Sequence, residues 1–261
     1  MNDVLGRYNK IRFVRGSVEK AIFGLYSTFI AKHAIDKNKH MVMIPEATYA
    51  PWKSNPEFDP IYEQVRGNTL VEKSKLFELW SLIRQVSHLE GDCIEVGVWR
   101  GGSGCLMAHT LQSSGDDAQV YLCDTFEGMV KTSDNDPHYK GGELSDTSED
   151  IVRKLATKMG LKNVHILKGI FPEDTGDQVE GRKFKIVHVD VDVYDSARDV
   201  VNHVWDRLVP GGLIVFDDYG YAATEGVTKF VDEYVKDRKD CLFIYNSVGH
   251  GIIVKREVSL H

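Results

Sequence analysis

Two pairs of aspartates are the residues best able to do chemistry in this 261-residue chain. Val189-Asp190-Val191-Asp192 closes one short apolar run and Phe216-Asp217-Asp218 closes the next. Strand ends of an open α/β sheet gather at one edge, where ligands bind. Three or four carboxylates there repel one another unless a cation neutralises them. All-oxygen donors suit Mg²⁺, Mn²⁺ or Ca²⁺. Such an ion lowers the pKa of a substrate hydroxyl, and a carboxylate beside it can take the proton. The competing reading makes Asp192 and Asp218 helix caps and leaves the others in a metal-free pocket.

A second constellation lies upstream, at Glu95-Val-Gly-Val-Trp-Arg-Gly-Gly-Ser103. A glycine-rich turn between strand and helix lets a ligand approach the backbone and meet the helix N-terminus. Its glycines fall at 97, 101, 102 and 104, so the dinucleotide spacing GxGxxG is absent and a nicotinamide cofactor is disfavoured. Glu95, just before the first glycine, would repel pyrophosphate and suits a ligand with a positive end, such as a sulfonium or an amino group. Asp124 ends the following apolar run. A carboxylate there can accept both ribose hydroxyls of a nucleoside, or can simply cap a turn. A methyl sulfonium bound here needs only in-line placement against an activated hydroxyl.

These residues need a scaffold that brings strand ends together. Short apolar runs at 92–97, 120–123, 164–167, 186–189 and 213–216 alternate with helical spacing near 70–86, 102–111, 148–159, 197–208 and 224–235. Two further runs, 242–245 and 252–255, flank Gly249-His250-Gly251 and read as a hairpin. The pattern predicts an α/β fold, doubly wound around a mainly parallel sheet, with an antiparallel edge at the C-terminal end. Ahead of it, residues 1–68 read as an N-terminal helical arm with an amphipathic stretch over Val18–Ile35. A loop marked by Pro45, Pro51, Pro56 and Pro60 follows, and 69–261 is the catalytic domain.

Composition narrows the partners. The formal charge is −7 and no basic stripe stands out, which argues against nucleic acid. No run reaches the length of a membrane span and no signal-peptide layout is present. The four cysteines form no CxxC pair and read as buried free thiols in a cytoplasmic protein. His188 reads as a packed strand residue, His250 as a hairpin tip and His138 as a loop residue; none is assigned as the base.

Four segments in order now resemble a known family: the Glu95–Ser103 turn, Cys123-Asp-Thr-Phe-Glu-Gly-Met129, Val189-Asp-Val-Asp-Val-Tyr-Asp195 and Pro210-Gly-Gly-Leu-Ile-Val-Phe-Asp-Asp-Tyr219. Together they are similar to the macrocin O-methyltransferases, over roughly residues 65–256. The resemblance implies a class I methyltransferase fold of the Rossmann-like type, S-adenosylmethionine as methyl donor and Mg²⁺ or Mn²⁺ at the site. It implies methylation of a hydroxyl on a sugar or natural-product scaffold. Cofactor contacts would come from Glu95, Val96, Gly97, Trp99, Ser103, Asp124, Thr125, Phe126, Gly169 and Asp190. Asp190, Asp217 and Asp218 would hold the metal, and Asp190 or Asp192 would be the base. Catechol-type enzymes carry a lysine about three residues after the first strand aspartate, where this chain has Val193.

The sequence therefore predicts a metal-dependent O-methyltransferase with a small-molecule substrate, working as a homo-oligomer joined through the arm. The alternatives are a metal-dependent, hydroxylase-like enzyme and a non-catalytic nucleoside-binding protein on the same fold.

Overall fold

The computed structural model describes residues 14, 16–22, 24, 25, 39, 40 and 50–257. The chain divides into two compact units, Met1–Ala50 and Pro51–His261. In the first, residues 16–22, 24 and 25 are helical; the rest of the stretch expected over Val18–Ile35 lies outside the described residues.

The second unit is built on a seven-stranded sheet. In chain order its elements are α1 (Phe58–Val65), α2 (Lys73–Gln85), β1 (Asp92–Val96), α3 (Gly102–Ser114), β2 (Val120–Asp124), α4 (Glu149–Lys158), β3 (Val164–Lys168), β4 (Phe184–Val189), α5 (Tyr194–Val204), β5 (Leu208–Phe216), α6 (Glu225–Val235), β6 (Cys241–Tyr245) and β7 (Gly251–Lys255). The strand order is β3-β2-β1-β4-β5-β7-β6. The first five strands are parallel, and β7 runs antiparallel to both β5 and β6. Among the described residues no helix is long and apolar enough to cross a membrane.

The central strands are continuous apolar runs because helices cover both faces. On one face Val200, Val201, Phe230 and Val231 pack against Ile94, Val187, Ile214 and Phe216. On the other, Leu79, Ile83, Met107 and Leu111 pack against Cys93, Leu122, Ile186 and Val215. Proline is accommodated where it costs least. Pro60 stands in the first turn of α1, where no intrahelical N–H is required, so a segment expected to be irregular holds a helix. Phe58, fully buried at its start, packs edge-on against Phe77 at 5.1 Å and lies 5.7 Å from Trp80.

Pro210-Gly211-Gly212 lies inside β5. The helix ends earlier, at Val204, and a 3-10 turn over Trp205–Arg207 leads into the strand. Pairing jumps from Phe184↔Leu208 to Ile186↔Leu213, so the Pro-Gly-Gly segment bulges out of the ladder and needs no N–H from the proline.

Register explains how distant residues meet. Cys123, Val96, Val189 and Phe216 form one row across β2, β1, β4 and β5. The next residue on each strand is Asp124, Gly97, Asp190 or Asp217, all at the carboxyl edge. Strand order reverses between β1 and β4, which opens a crevice there. Gly97 makes that crevice possible: its φ is +86°, and a Cβ on it would stand 1.7 Å from the Asp190 carbonyl oxygen. We expect Gly97→Ala to lower unfolding free energy by about 3 kcal/mol or more, since strain and overlap add; urea titration followed by circular dichroism measures it, and a change below about 1 kcal/mol would contradict this packing.

Candidate functional site

One cavity at the carboxyl edge is lined by the ends of β1, β2, β4 and β5, by the segment Thr69–Glu72 and Lys75, and by loop residues 128–130 and Leu144. Carboxylate oxygens of Asp190, Asp192 and Asp218 approach within 4.8 Å of one another on its floor. Burial raises the pKa of Asp190 well above the ordinary carboxylate value, and the charge of Asp217 adds to it. Burial likewise raises Asp218, with Asp192 and Asp217 adding repulsion. Asp192 is raised by burial too. Its φ of +61° puts a non-glycine residue in the left-handed region, a strain of about 1 kcal/mol or more held at the site. The Tyr139 hydroxyl donates to Asp192 Oδ1 at 3.3 Å.

Asp217, next to Asp218 in sequence, lines the same cavity but takes different partners. Consecutive residues leaving a strand face opposite sides of the sheet. Asp217 turns to the face covered by α2, where Lys75 Nζ donates to its Oδ2 at 2.8 Å and to its carbonyl oxygen at 2.6 Å. His250 Nε2 lies 3.1 Å from Asp217 Oδ1. Of the expected trio Asp190, Asp217 and Asp218, all three line the cavity, and Asp192 joins Asp190 and Asp218 in bringing carboxylate oxygens within 4.8 Å of one another.

The Asp217 interactions extend into a buried row. His250 Nδ1 meets Glu78 Oε2 at 2.5 Å, and Asn246 Nδ2 donates to both Glu78 oxygens at 2.7 Å. His188 Nδ1 meets Glu95 Oε1 at 2.8 Å, and both side chains are fully buried. Burial alone disfavours the His188 cation, but Asp217 and Glu95 outweigh it and lift the pKa to about 10. Asp217 is held far below the ordinary range: burial opposes this, and His188, His250 and Lys75 overcome it.

Of the residues expected at the cofactor, Val96, Gly97, Trp99, Ser103, Asp124, Thr125, Gly169 and Asp190 line the cavity. Glu95 lies behind it, paired with His188, and Phe126 is buried in the sheet core. Asp124 accepts backbone N–H groups of Val98 (2.7 Å), Trp99 (2.9 Å) and Phe126 (2.6 Å). It therefore shapes both turns, and a carboxylate with about four acceptor sites retains capacity for one hydroxyl.

The loop over residues 128–148 is fastened at several places, among them Asp146, Asp136 and Lys131, which bonds Glu173 and Asp199. Asp146 accepts from the Trp99 indole at 2.8 Å and from Arg100 Nη2 at 2.7 Å. Buried Asp136 accepts from the Tyr194 backbone N–H at the start of α5, at 2.9 Å, and from Ser133.

Sequence reasoning missed Lys75, Glu78, Tyr139, Asp136 and the roles of His188 and His250. Lys75 carried a signal: it stands four and eight residues before Leu79 and Ile83, inside the apolar stripe of α2. A lysine there must find a buried anion. Tyr139 and Asp136 belong to an irregular loop, where spacing carries no geometry.

The family model described as Macrocin-O-methyltransferase (TylF) matches residues 35–242. The chain is 32% identical over 170 residues to the 8-demethyl-8-(2,3-dimethoxy-alpha-L-rhamnosyl)-tetracenomycin-C 4'-O-methyltransferase of Streptomyces olivaceus, covering 60% of this chain and 64% of that protein. It is 33% identical over 159 residues to the mycinamicin III 3''-O-methyltransferase of Micromonospora griseorubida, covering 55% of this chain and 61% of that protein. The chain thus spans somewhat under two thirds of these relatives' length. The fold is shared with the O-methyltransferase NovP at a TM-score of 0.64 and 22% identity, over 73% of this chain and 83% of that one.

Two stability predictions follow. Lys75→Met strands the Asp217 carboxylate and should cost about 3 kcal/mol or more, read as a lowered urea midpoint; an unchanged midpoint would remove the ion pair from the stability account. In chelator, the raised groups Asp190 and Asp218 bind more protons folded than unfolded, so stability drains as pH rises above roughly 4. His188, raised to about 10, adds a loss between roughly 6.5 and 10. Melting temperature should therefore fall from pH 6 to 9, less steeply in Asp218→Asn; a flat or rising profile would contradict the assignment.

Proposed function

Since the chain belongs to the macrocin O-methyltransferase family, we propose that it methylates a hydroxyl of a sugar or natural-product scaffold with S-adenosylmethionine and a divalent cation. The observation that carries this reading is the placement of Asp190, Asp192 and Asp218 in the same cavity as the glycine turn and Asp124. Both relatives compared above are named as O-methyltransferases of glycosylated natural products.

The residues suit both groups. A cofactor's ribose would use the acceptor capacity left on Asp124, and its amino-acid end would lie along Gly97 and Ser103. Gly97 has no side chain to fill this cradle. The transferable methyl on a sulfonium is what S-adenosylmethionine supplies. Three converging carboxylates with raised pKa values are an all-oxygen donor set suited to Mg²⁺ or Mn²⁺. A cation held there supplies Lewis acidity that makes a nearby hydroxyl easier to deprotonate.

The chain's own groups perform the rest. Asp190 and Asp218, the more strongly raised pair, are the groups that most need a counter-charge, and they hold the cation. Asp192 completes the set and, with its raised pKa, is the better placed of the two expected bases to take the hydroxyl proton. Tyr139 fixes the Asp192 carboxylate by donating to Oδ1. Leu70 and Leu144, both exposed at the cavity, offer apolar surface to a scaffold. The four buried free cysteines suit a cytoplasmic setting. The arm ahead of Pro51 joins subunits in this reading; sedimentation of a chain starting at Pro51 would show a smaller species, and an unchanged mass would overturn that part.

The reading is tested by calorimetry with S-adenosylmethionine and S-adenosylhomocysteine, with and without Mg²⁺. Binding near the micromolar range, about −8 kcal/mol, is expected; no binding under any metal condition sinks it. Asp218→Asn and Asp192→Asn should each lower turnover about a hundredfold or more while leaving cofactor affinity within about threefold. Wild-type turnover in either variant would remove that residue from the mechanism.

A further inference from the structure

The apolar part of the cavity is built as a frame. Met129 and Val130 line it from the loop after β2, and Ile170 and Phe171 line it from the segment after β3. Both segments are fastened at the end of β2. Thr125 Oγ1 donates to the Gly128 carbonyl oxygen at 3.0 Å, and the Gly169 N–H donates to the Asp124 carbonyl oxygen at 3.0 Å. Further out, one side chain joins the two segments again. Lys131 Nζ donates to Glu173 Oε1 at 2.5 Å and to Asp199 Oδ2, on α5, at 2.8 Å. The first of these contacts runs from the residue after Val130 to the second residue after Phe171.

We propose that Lys131 is a positioning residue whose ion pairs latch these two walls together, so that a flat heterocyclic base attached to a ribose at Asp124 is retained between them. The inference rests on the cofactor reading given above and assigns a role to a residue outside the cavity lining. The lining chemistry fits a base. Met129, Val130, Ile170 and Phe171 offer thioether, aliphatic and aromatic contact to a flat ring. They flank the strand end that carries Asp124, the carboxylate assigned to the ribose.

Position 131 requires its side chain. The φ of Lys131 is +57°, in the left-handed region where glycine or asparagine sits with less strain. A lysine kept there is held by what its ammonium does. That ammonium is well shielded, with the side chain only 18% exposed. Burial alone disfavours the charge, and Asp199 and Glu173 outweigh it. Asp199 is braced from the other side, since Arg198 Nη2 lies 2.9 Å from Oδ1 and leaves Oδ2 to Lys131. The latch is therefore anchored on α5, whose Val200 and Val201 are packed in the core. Glu173 is half-exposed, so dissolved salt reaches that arm of the latch.

S-adenosylhomocysteine is the probe, and its release from the full chain is followed by stopped flow at low and high KCl. Lys131→Met should release it about tenfold faster, through loss of two charge-assisted bonds, with the association rate within about twofold of wild type. Lys131→Arg should recover most of the difference, and Glu173→Gln should show a smaller increase. Added KCl should quicken release from the wild type and leave Lys131→Met unchanged. Hydrogen exchange reads the latch without the probe: amides of residues 129–131 and 170–173 should exchange faster in Lys131→Met. Unchanged release in Lys131→Met, or a salt effect that persists in it, overturns the latch while leaving the cofactor reading intact. A wild type that does not bind the probe removes the cofactor reading and the retention role together. Should Lys131→Met fail to fold by circular dichroism, Glu173→Gln decides: faster release supports the latch, and an unchanged rate refutes it.

Discussion

A carboxylate buried at the centre of the sheet edge organises this molecule. Asp217 sits at the end of β5 with almost no solvent contact, and an ion in that position costs several kcal/mol unless partners surround it. The partners come from far apart in the chain: Lys75 from α2, His188 from β4 and His250 from the start of β7. Each brings its own element into place. Lys75 can reach Asp217 only if α2 crosses the sheet with its inner stripe facing β5. That crossing also carries Thr69–Glu72 to the cavity wall and seats the aromatic group of Phe58, Phe77 and Trp80 behind it. His250 can reach Asp217 only if the β6–β7 hairpin closes onto Glu78, which Asn246 secures by donating to Glu78 while its side-chain Oδ1 accepts the Val248 and His250 backbone N–H groups.

The consequence is a division among neighbouring carboxylates. Asp217 is compensated from within, and its pKa is depressed accordingly. Asp190, Asp192 and Asp218 are only partly compensated, by the charge of His188 at Asp190, by Tyr139 at Asp192 and by Lys75 3.9 Å from Asp218, and keep much of their mutual repulsion. A set of carboxylates fully paired with internal lysines would hold no cation; one with no compensation nearby would push the strand ends apart. The pairing of one aspartate with Lys75 stabilises the edge while leaving the other three with raised pKa values.

Much of this could be read from the sequence because strand ends in a doubly wound sheet are fixed by hydrophobic runs. Asp124, Gly97, Asp190 and Asp217 were each placed correctly at the carboxyl edge, since each follows directly on an apolar run. What escaped was orientation. Asp217 and Asp218 read as a pair, yet the two-residue period of a strand sends them to different neighbours. Glu95 read as facing a ligand, and its carboxylate is instead spent on His188 one strand away, a contact set by register rather than by spacing. His250 read as a hairpin tip and proves fully buried, because Asn246 folds the turn inward. Lys75 was legible in principle as a charge in an apolar stripe, but its partner, 142 residues on, was not.

The loop over residues 128–148 joins the two halves of the site by physics of another kind. Its far end is held by charge-assisted bonds from Arg100 to Asp146 and by the Trp99 indole, both from the glycine turn. Its middle is held by buried Asp136, capping the first backbone N–H of α5. Gly226 must lack a side chain for this, since a Cβ there would stand 2.0 Å from Asp136 Oδ1. Between these anchors Tyr139 reaches the acidic floor through one hydrogen bond of 3.3 Å, weaker than any of the anchoring contacts. The same loop therefore rests on the glycine turn at one end and on Asp192 in between, so the position of that turn constrains where Tyr139 can meet the carboxylate. A rigid sheet edge sets the charges, and the loop, fixed at its anchors and lightly held between them, sets what can stand above them.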